Sequence, residues 1–204
     1  MYPQVLFQNR KPDRIATLAE YKASGGYSTL AEMFRIRSPR EVEQLVLDAA
    51  LLGRGGAGFP AGKKWLAVPE DAPHPRYLVC NADEMEPGTF KDRLLMEGDP
   101  HLLVESIILS AYAVQAEVCY IFLRYAYVGP ARLLERAIAE AAAAGYVGRN
   151  VLGSGFDLEI HLHRGSGRYI CGEETGLLNA LEGRRATPRS KPPFPPVSGL
   201  FGKP

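Results

Sequence analysis

Gly53-Arg54-Gly55-Gly56-Ala57-Gly58-Phe59 sets four glycines in the six positions from Gly53 to Gly58. Such a backbone takes positive φ readily and lets a flat or charged ligand come close to the main chain. Gly53, Gly55 and Gly58 also fit the spacing G-x-G-x-x-G, which in a dinucleotide fold follows a strand and opens a helix. Here the preceding residues read as a helix. Ser38-Pro39-Arg40-Glu41 has the form of a capping box with proline at the first helical position. Val42, Leu45, Val46, Ala49 and Leu52 then recur at helical spacing. The loop therefore departs from the usual dinucleotide fingerprint, and a C-cap glycine followed by a turn is the plain alternative.

Outward from the loop, Pro60-Ala61-Gly62-Lys63-Lys64-Trp65 reads as a turn entering a short helix. Tyr77-Leu78-Val79-Cys80 reads as a buried strand and ends in the polar burst Asn81-Ala82-Asp83-Glu84-Met85-Glu86-Pro87-Gly88. Asp99-Pro100 caps a helix carrying Leu103, Ile107 and Tyr112. Val118–Leu123 is a second buried strand, and Pro130 opens an alanine-rich helix that Gly145 stops. Residues 158–163 alternate as a third strand. Gly165–Gly172 is another glycine-containing turn, followed by a helix from Glu173 to Leu181. Strand and helix alternate, which predicts an α/β domain with a Rossmann-like, mostly parallel sheet and helices on both faces. Ligands of such sheets bind at the carboxyl ends of the strands, where the polar bursts fall. Residues 1–37 read as a peripheral N-terminal arm with weak helical pieces at Tyr21–Gly26 and Leu30–Phe34, and 38–204 as the ligand-binding domain. From Arg184 onward there are five basic residues, no acids and six prolines, which predicts an extended tail.

The bulk numbers exclude several classes. The net charge is +1, which favours neither a nucleic-acid binder nor a membrane-surface protein. The apolar stretch near Leu102–Val114 is interrupted by Glu105 and is too short to span a bilayer. The start of the chain has no signal-peptide layout. Three scattered cysteines, Cys80, Cys119 and Cys171, point to reduced thiols in a cytosolic compartment. They also argue against an iron–sulfur centre held by this chain alone.

The candidate chemistry lies in two acidic clusters. Asn81, Asp83, Glu84 and Glu86 crowd one strand end, where carboxylates repel unless something offers hydroxyls, amides or a cation. A ribose, a ribityl chain and a flavin edge offer donors; a magnesium site and a solvated acidic turn are the alternatives. Glu173 and Glu174 open a helix, where simple capping accounts for one of them. Lys64, Arg184, Arg185, Arg189 and Lys191 are candidates for phosphates. Phe59, Tyr169 and Phe194 are candidate stacking faces. His161 and His163 lie two apart on one strand face and read as structural. No paired nucleophile and base stands out, so the set resembles a redox-cofactor cradle more than a hydrolase.

These motifs together resemble a known family. Gly53–Phe59 with Gly62-Lys63-Lys64-Trp65, then Asn81–Gly88, Gly167–Thr175, Leu181–Ala186 and Arg189–Pro195 look like the NADH-binding, FMN-carrying subunit of respiratory complex I. Diaphorase subunits of NAD-linked hydrogenases and formate dehydrogenases share the pattern. The resemblance implies hydride transfer from NADH to FMN, with electrons passed to iron–sulfur clusters and on to quinone. It places FMN against Gly53, Arg54, Gly55, Gly56, Ala57, Gly58, Lys64, Asn81, Asp83, Glu84, Gly172, Glu173 and Glu174. NADH would neighbour Phe59, Glu86, Tyr169, Lys191 and Phe194. No residue is implied as a catalytic acid or base, since hydride transfer needs two rings held roughly 3–3.5 Å apart and aligned. The resemblance also implies a thioredoxin-like [2Fe–2S] partner subunit, an iron–sulfur subunit, and a peripheral place on the inner face of an energy-transducing membrane. In the family an asparagine-rich flavin segment, a ubiquitin-like domain and a [4Fe–4S] domain follow. Their absence here leads to the expectation of an incomplete chain, with a non-catalytic fragment holding no flavin as the rival.

Overall fold

The computed structural model describes residues 5–10 and 14–204. Its centre is a three-stranded parallel sheet in the order β1 (Tyr77–Ala82), β2 (Val118–Leu123), β3 (Glu159–Arg164). Tyr77 pairs with Val118 and Val118 with Glu159, so the strands run in step and Ala82, Leu123 and Arg164 end at one edge. Alternation sends side chains to both faces. Leu78, Cys80, Cys119, Ile121, Leu123 and Leu158 enter the main core. That face is covered by α6 (Pro100–Val114), through Val104, Ile108 and Ala111, and by α7 (Val128–Ala143), through Ala131, Leu134 and Ala141. Val79 and Phe122 turn the other way and meet Leu177 of α8 (Glu174–Leu181) and Cys171. Helices thus lie on both faces, as the pattern predicts.

Some expectations are corrected. The segment expected to be a peripheral arm forms α1 (Leu18–Ala23) and α2 (Ser28–Ile36), and it is built into the core. Tyr27 is 1% exposed and Leu30 is fully buried. Tyr27 stacks on Tyr146 at 4.0 Å and its hydroxyl meets His101 Nδ1 at 3.0 Å. Weak local periodicity hid this, because the anchors are aromatic and their partners lie far along the chain. Tyr77–Cys80 of β1 are half-buried rather than buried, since β1 is an edge strand. The helix α7 begins at Val128, two residues before Pro130. A further helix, α5 (Lys91–Gly98), stands between the acidic burst and Asp99.

The helix before the glycine loop forms as its cap predicts. α3 (Pro39–Asp48) starts from Ser38, whose backbone N–H and hydroxyl both donate to Glu41 Oε2, at 2.7 and 2.9 Å. Val42 packs against Tyr112 and Ala113 of α6, while Leu45 and Leu52 stay exposed. Ser38→Ala removes the cap and is expected to lower stability by about 1 kcal/mol. The check is a lower urea midpoint at an unchanged slope.

Candidate cofactor cradle

The glycine loop is closed at its base and bare at its tip. Gly53 N–H donates to the Phe59 carbonyl at 2.9 Å, and Ala61 N–H to that of Leu51 at 2.8 Å. Between these ties Gly56 has φ +122°, a conformation that side chains resist. A Cβ built on Gly55 finds no atom of the described residues within 4 Å. The loop leads into α4 (Ala61–Leu66). There Gly62 lies against α3 so closely that a Cβ would stand 2.4 Å from the Leu47 Cα. That close approach fixes α4 and the direction of its lysines.

Lys64 reaches across to Glu174 Oε2 at 3.1 Å. Lys191, from the proline-rich tail, meets Glu174 Oε1 at 2.5 Å and Glu173 Oε1 at 3.4 Å. Asn81, near the end of β1, donates to the Gly172 carbonyl at 3.4 Å. Helix α4, the end of β1, the turn Tyr169–Gly172, the start of α8 and the tail therefore converge. Burial opposes the charges of Glu173 and Glu174. Their hydrogen bonds and the facing lysines nevertheless hold both below the usual carboxylate range. Hydrogen bonding to Glu174 raises Lys191 in turn.

The crowded acids relieve their repulsion by going to different partners. Glu84 is buried and accepts from the N–H groups of Asp92 (2.9 Å) and Arg93 (3.2 Å) and from the Tyr127 hydroxyl (2.8 Å). Burial opposes its ionisation, but these donors hold it below the ordinary range. Its carboxylate thus caps α5, whose own N-cap residue, Phe90, makes no side-chain cap. Glu86 accepts from the Tyr169 hydroxyl, so the acidic loop is tied to the turn before α8. Asp83 is different. It is 6% exposed, and neither carboxyl oxygen has a hydrogen-bond partner among the described residues. Burial pushes it above the usual range, with the Arg124 charge acting against the shift. Among the described residues no three His, Cys, Asp or Glu side chains stand where they would hold a metal ion.

The remaining candidates separate. Glu173 is the N-cap of α8, accepting from Thr175 N–H at 2.9 Å and Gly176 N–H at 2.7 Å. Phe59 and Phe194 are each 56% exposed and Tyr169 is 62% exposed. Arg54 and Ala57 are exposed on the loop. Arg184 and Arg189, considered for phosphates, pair instead with Glu182, at 3.4 and 2.8 Å. Arg189 also donates to Asn179 and to the Gly199 carbonyl, which ties the tail to α8. His161 stacks on Tyr120 and His163 on Phe122. Burial raises the Cys80 thiol to about 12 and also lifts Cys171, so neither is a ready thiolate. Sequence reading missed Arg124 and Tyr127, which lie just past β2 and had no motif to mark them.

A parallel sheet with a bare glycine loop and an ion-paired polar cluster at its strand ends defines an α/β protein of the cofactor-cradle type. Residues 46–201 match the family model of the Nuo51 FMN-binding domain, and the chain belongs to that family. It is 58% identical to the F subunit of the NADH-quinone oxidoreductase of Escherichia coli, over 92% of this chain and 42% of the relative. It is 52% identical to the second such F subunit of Rhizobium meliloti, over its whole length and 48% of that protein. The chain thus spans about half the length of the curated relatives it matches. An NAD+-reducing [NiFe]-hydrogenase structure superposes on 94% of this chain and 32% of its own, with a TM-score of 0.79 and 37% identity.

Proposed function

We propose that this chain forms the FMN and NADH cradle of an NADH dehydrogenase subunit of the quinone-reducing type. One observation carries the reading: a buried carboxylate, Asp83, without a hydrogen-bond partner among the described residues, at the strand ends of a domain in the FMN-binding family. FMN, when bound, supplies a two-electron acceptor for hydride that passes electrons on singly to iron–sulfur clusters. Its ribityl hydroxyls and ring N–H are donors of the kind Asp83 lacks. The openness around Gly55 and Gly172, where an added Cβ meets nothing within 4 Å, leaves room for a ligand against the main chain.

The chain's own part is binding and orientation. Lys64 and Lys191 present cations to phosphates and hold Glu174 until these arrive. Glu173 steadies the start of α8, and Asn81 joins β1 to the turn at Gly172. Phe59, Tyr169 and Phe194 offer exposed rings for the bases of NADH. Glu86 orients Tyr169. No side chain abstracts a proton from the nicotinamide. In the assembled enzyme the subunit would pass electrons to a thioredoxin-like [2Fe–2S] subunit and an iron–sulfur subunit on the inner membrane face. No described helix is long and apolar enough to cross a membrane.

A diaphorase role in a hydrogenase is the second reading, favoured by the structural likeness to the NAD+-reducing [NiFe]-hydrogenase. The higher identity to quinone reductase subunits, 58% against 37%, weighs for the first. The test is FMN titration followed by anaerobic NADH. Flavin fluorescence is expected to fall on binding, and NADH to bleach the flavin absorbance. A full-length protein that binds no FMN would sink the reading.

A further inference from the structure

Arg124, the first residue after β2, holds the chain on both sides of Asp83. Its backbone N–H donates to the carbonyl of Ala82 at 3.2 Å. Its guanidinium Nη1 donates to the carbonyl of Glu84 at 2.7 Å. Asp83 lies between those two anchors, and its own N–H donates to Asn81 Oδ1 at 3.0 Å. The guanidinium also lies over the Tyr127 ring, 5.2 Å from its centroid. Tyr127 in turn donates its hydroxyl to Glu84. The backbone at position 124 thus holds the carbonyl of Ala82, and the Arg124 side chain holds that of Glu84, on either side of a carboxylate with no hydrogen-bond partner among the described residues.

Resting on the flavin reading above, we propose that Arg124 is a positioning residue of the cofactor site. It sets the orientation of Asp83 and supplies the charge that keeps this carboxylate available to a ligand's donors. A planar cation that clamps a carbonyl while stacking on an aromatic ring is arginine chemistry, and lysine reproduces only the charge. Burial pushes the Asp83 carboxyl up, and the Arg124 charge at the end of β2 acts against that shift. The Cys171 thiol, in the turn before α8, is itself lifted by burial and by the Asp83 charge.

The roles separate in a small set of proteins: wild type, Arg124→Gln, Arg124→Lys and the Asp83→Asn/Arg124→Gln pair, with Asp83→Asn as reference. Two quantities are read on each. One is the Asp83 carboxyl titration in the flavin-free chain by carbon NMR, where the aspartate is present; the other is the FMN dissociation constant by fluorescence quenching. Arg124→Gln is expected to raise the Asp83 midpoint and weaken FMN by about tenfold, the scale of one charge-assisted hydrogen bond. Arg124→Lys should return the midpoint toward wild type but recover only part of the affinity. In the Asp83→Asn background Arg124→Gln should cost little more, because the residue through which it acts is gone.

Equal losses in the two backgrounds would overturn the proposal, as would an unchanged midpoint and affinity in Arg124→Gln. If the glutamine variant fails to fold, the lysine variant decides: FMN affinity equal to wild type removes the clamp. A wild-type chain that binds no FMN overturns the flavin reading instead. The carboxyl titration still decides whether Arg124 governs Asp83.

Discussion

Gly55→Ala is expected to weaken FMN binding by roughly ten- to a hundredfold while leaving the folded, flavin-free chain at least as stable as before. The two halves of that result come from different physics. A Cβ at Gly55 has no atom of the described residues within 4 Å, and the residue's backbone is outside the left-handed region. The folded chain therefore has no reason to resist alanine, and the unfolded chain loses some of its freedom, which favours a small gain in melting temperature. The cost appears only when a ligand occupies the space the methyl fills. Forcing a group into a packed contact costs about 1–3 kcal/mol, and each 1.4 kcal/mol is tenfold in affinity. Gly56→Ala makes the contrast. With φ at +122°, a side chain there is strained at about 1–3 kcal/mol with or without ligand. Gly56→Ala should therefore lower both melting temperature and affinity, and Gly55→Ala affinity alone. Melting curves and fluorescence quenching on the two variants check this. A Gly55→Ala chain that binds FMN like wild type would remove the glycine loop from the site.

The sheet and the α3 helix were legible because their signals are local. The capping box at Ser38 is four residues long, and the strand runs at residues 77–80 and 118–123 declare themselves by composition. Helix α5 was not legible because its N-terminus is capped from a distance, by the Glu84 carboxylate accepting from Asp92 and Arg93. No residue beside it carries the signal. Tyr27 escaped for a related reason. It sits at φ +62° before α2, and its stacking partner Tyr146 is more than a hundred residues away. Local periodicity sees neither fact.

The candidate site divides along the same line. Motif spacing singled out residues that the fold joins in two sets, Lys64 and Lys191 with Glu174, and Asn81 with Gly172. It did not tell which carboxylate does what. Asp83 and Glu84 are neighbours in sequence with the same chemistry, and both are buried. Glu84 is engaged by a helix terminus and a tyrosine, while the Asp83 carboxylate has no hydrogen-bond partner among the described residues. That difference is decided by which way each side chain leaves the end of β1. Only the fold supplies that direction. The same holds for the basic tail, where Arg189 is engaged by Glu182, Asn179 and Gly199 while Lys191 reaches the site.

Asp83→Asn should stabilise the flavin-free chain at neutral pH and at the same time weaken FMN by about ten- to a hundredfold. Burial holds the Asp83 carboxyl above its ordinary range in the folded chain, and Arg124 offsets this only in part. A carboxyl raised in the folded state imposes no charge penalty below its unfolded value of about 3.9. The penalty grows as pH rises and is complete above the raised folded value. Asparagine has no charge to desolvate, so its advantage should be absent near pH 3 and established at pH 7. The amide in the variant is as short of partners as the acid, so only the cost of burying the charge is removed. Each gain of about 1 kcal/mol shifts the melting temperature of a chain this size by about 2–4 °C. Binding should move the other way, because a charge-assisted hydrogen bond to a ligand donor is worth about 1.5–3 kcal/mol. Melting curves from pH 3 to 8 and FMN titrations at pH 7 give both numbers from one variant. If Asp83→Asn neither stabilises the flavin-free chain nor weakens FMN, the buried carboxylate is not the ligand's partner. Stability gained and affinity lost together would mark Asp83 as a residue whose cost to the empty fold is kept for what it binds.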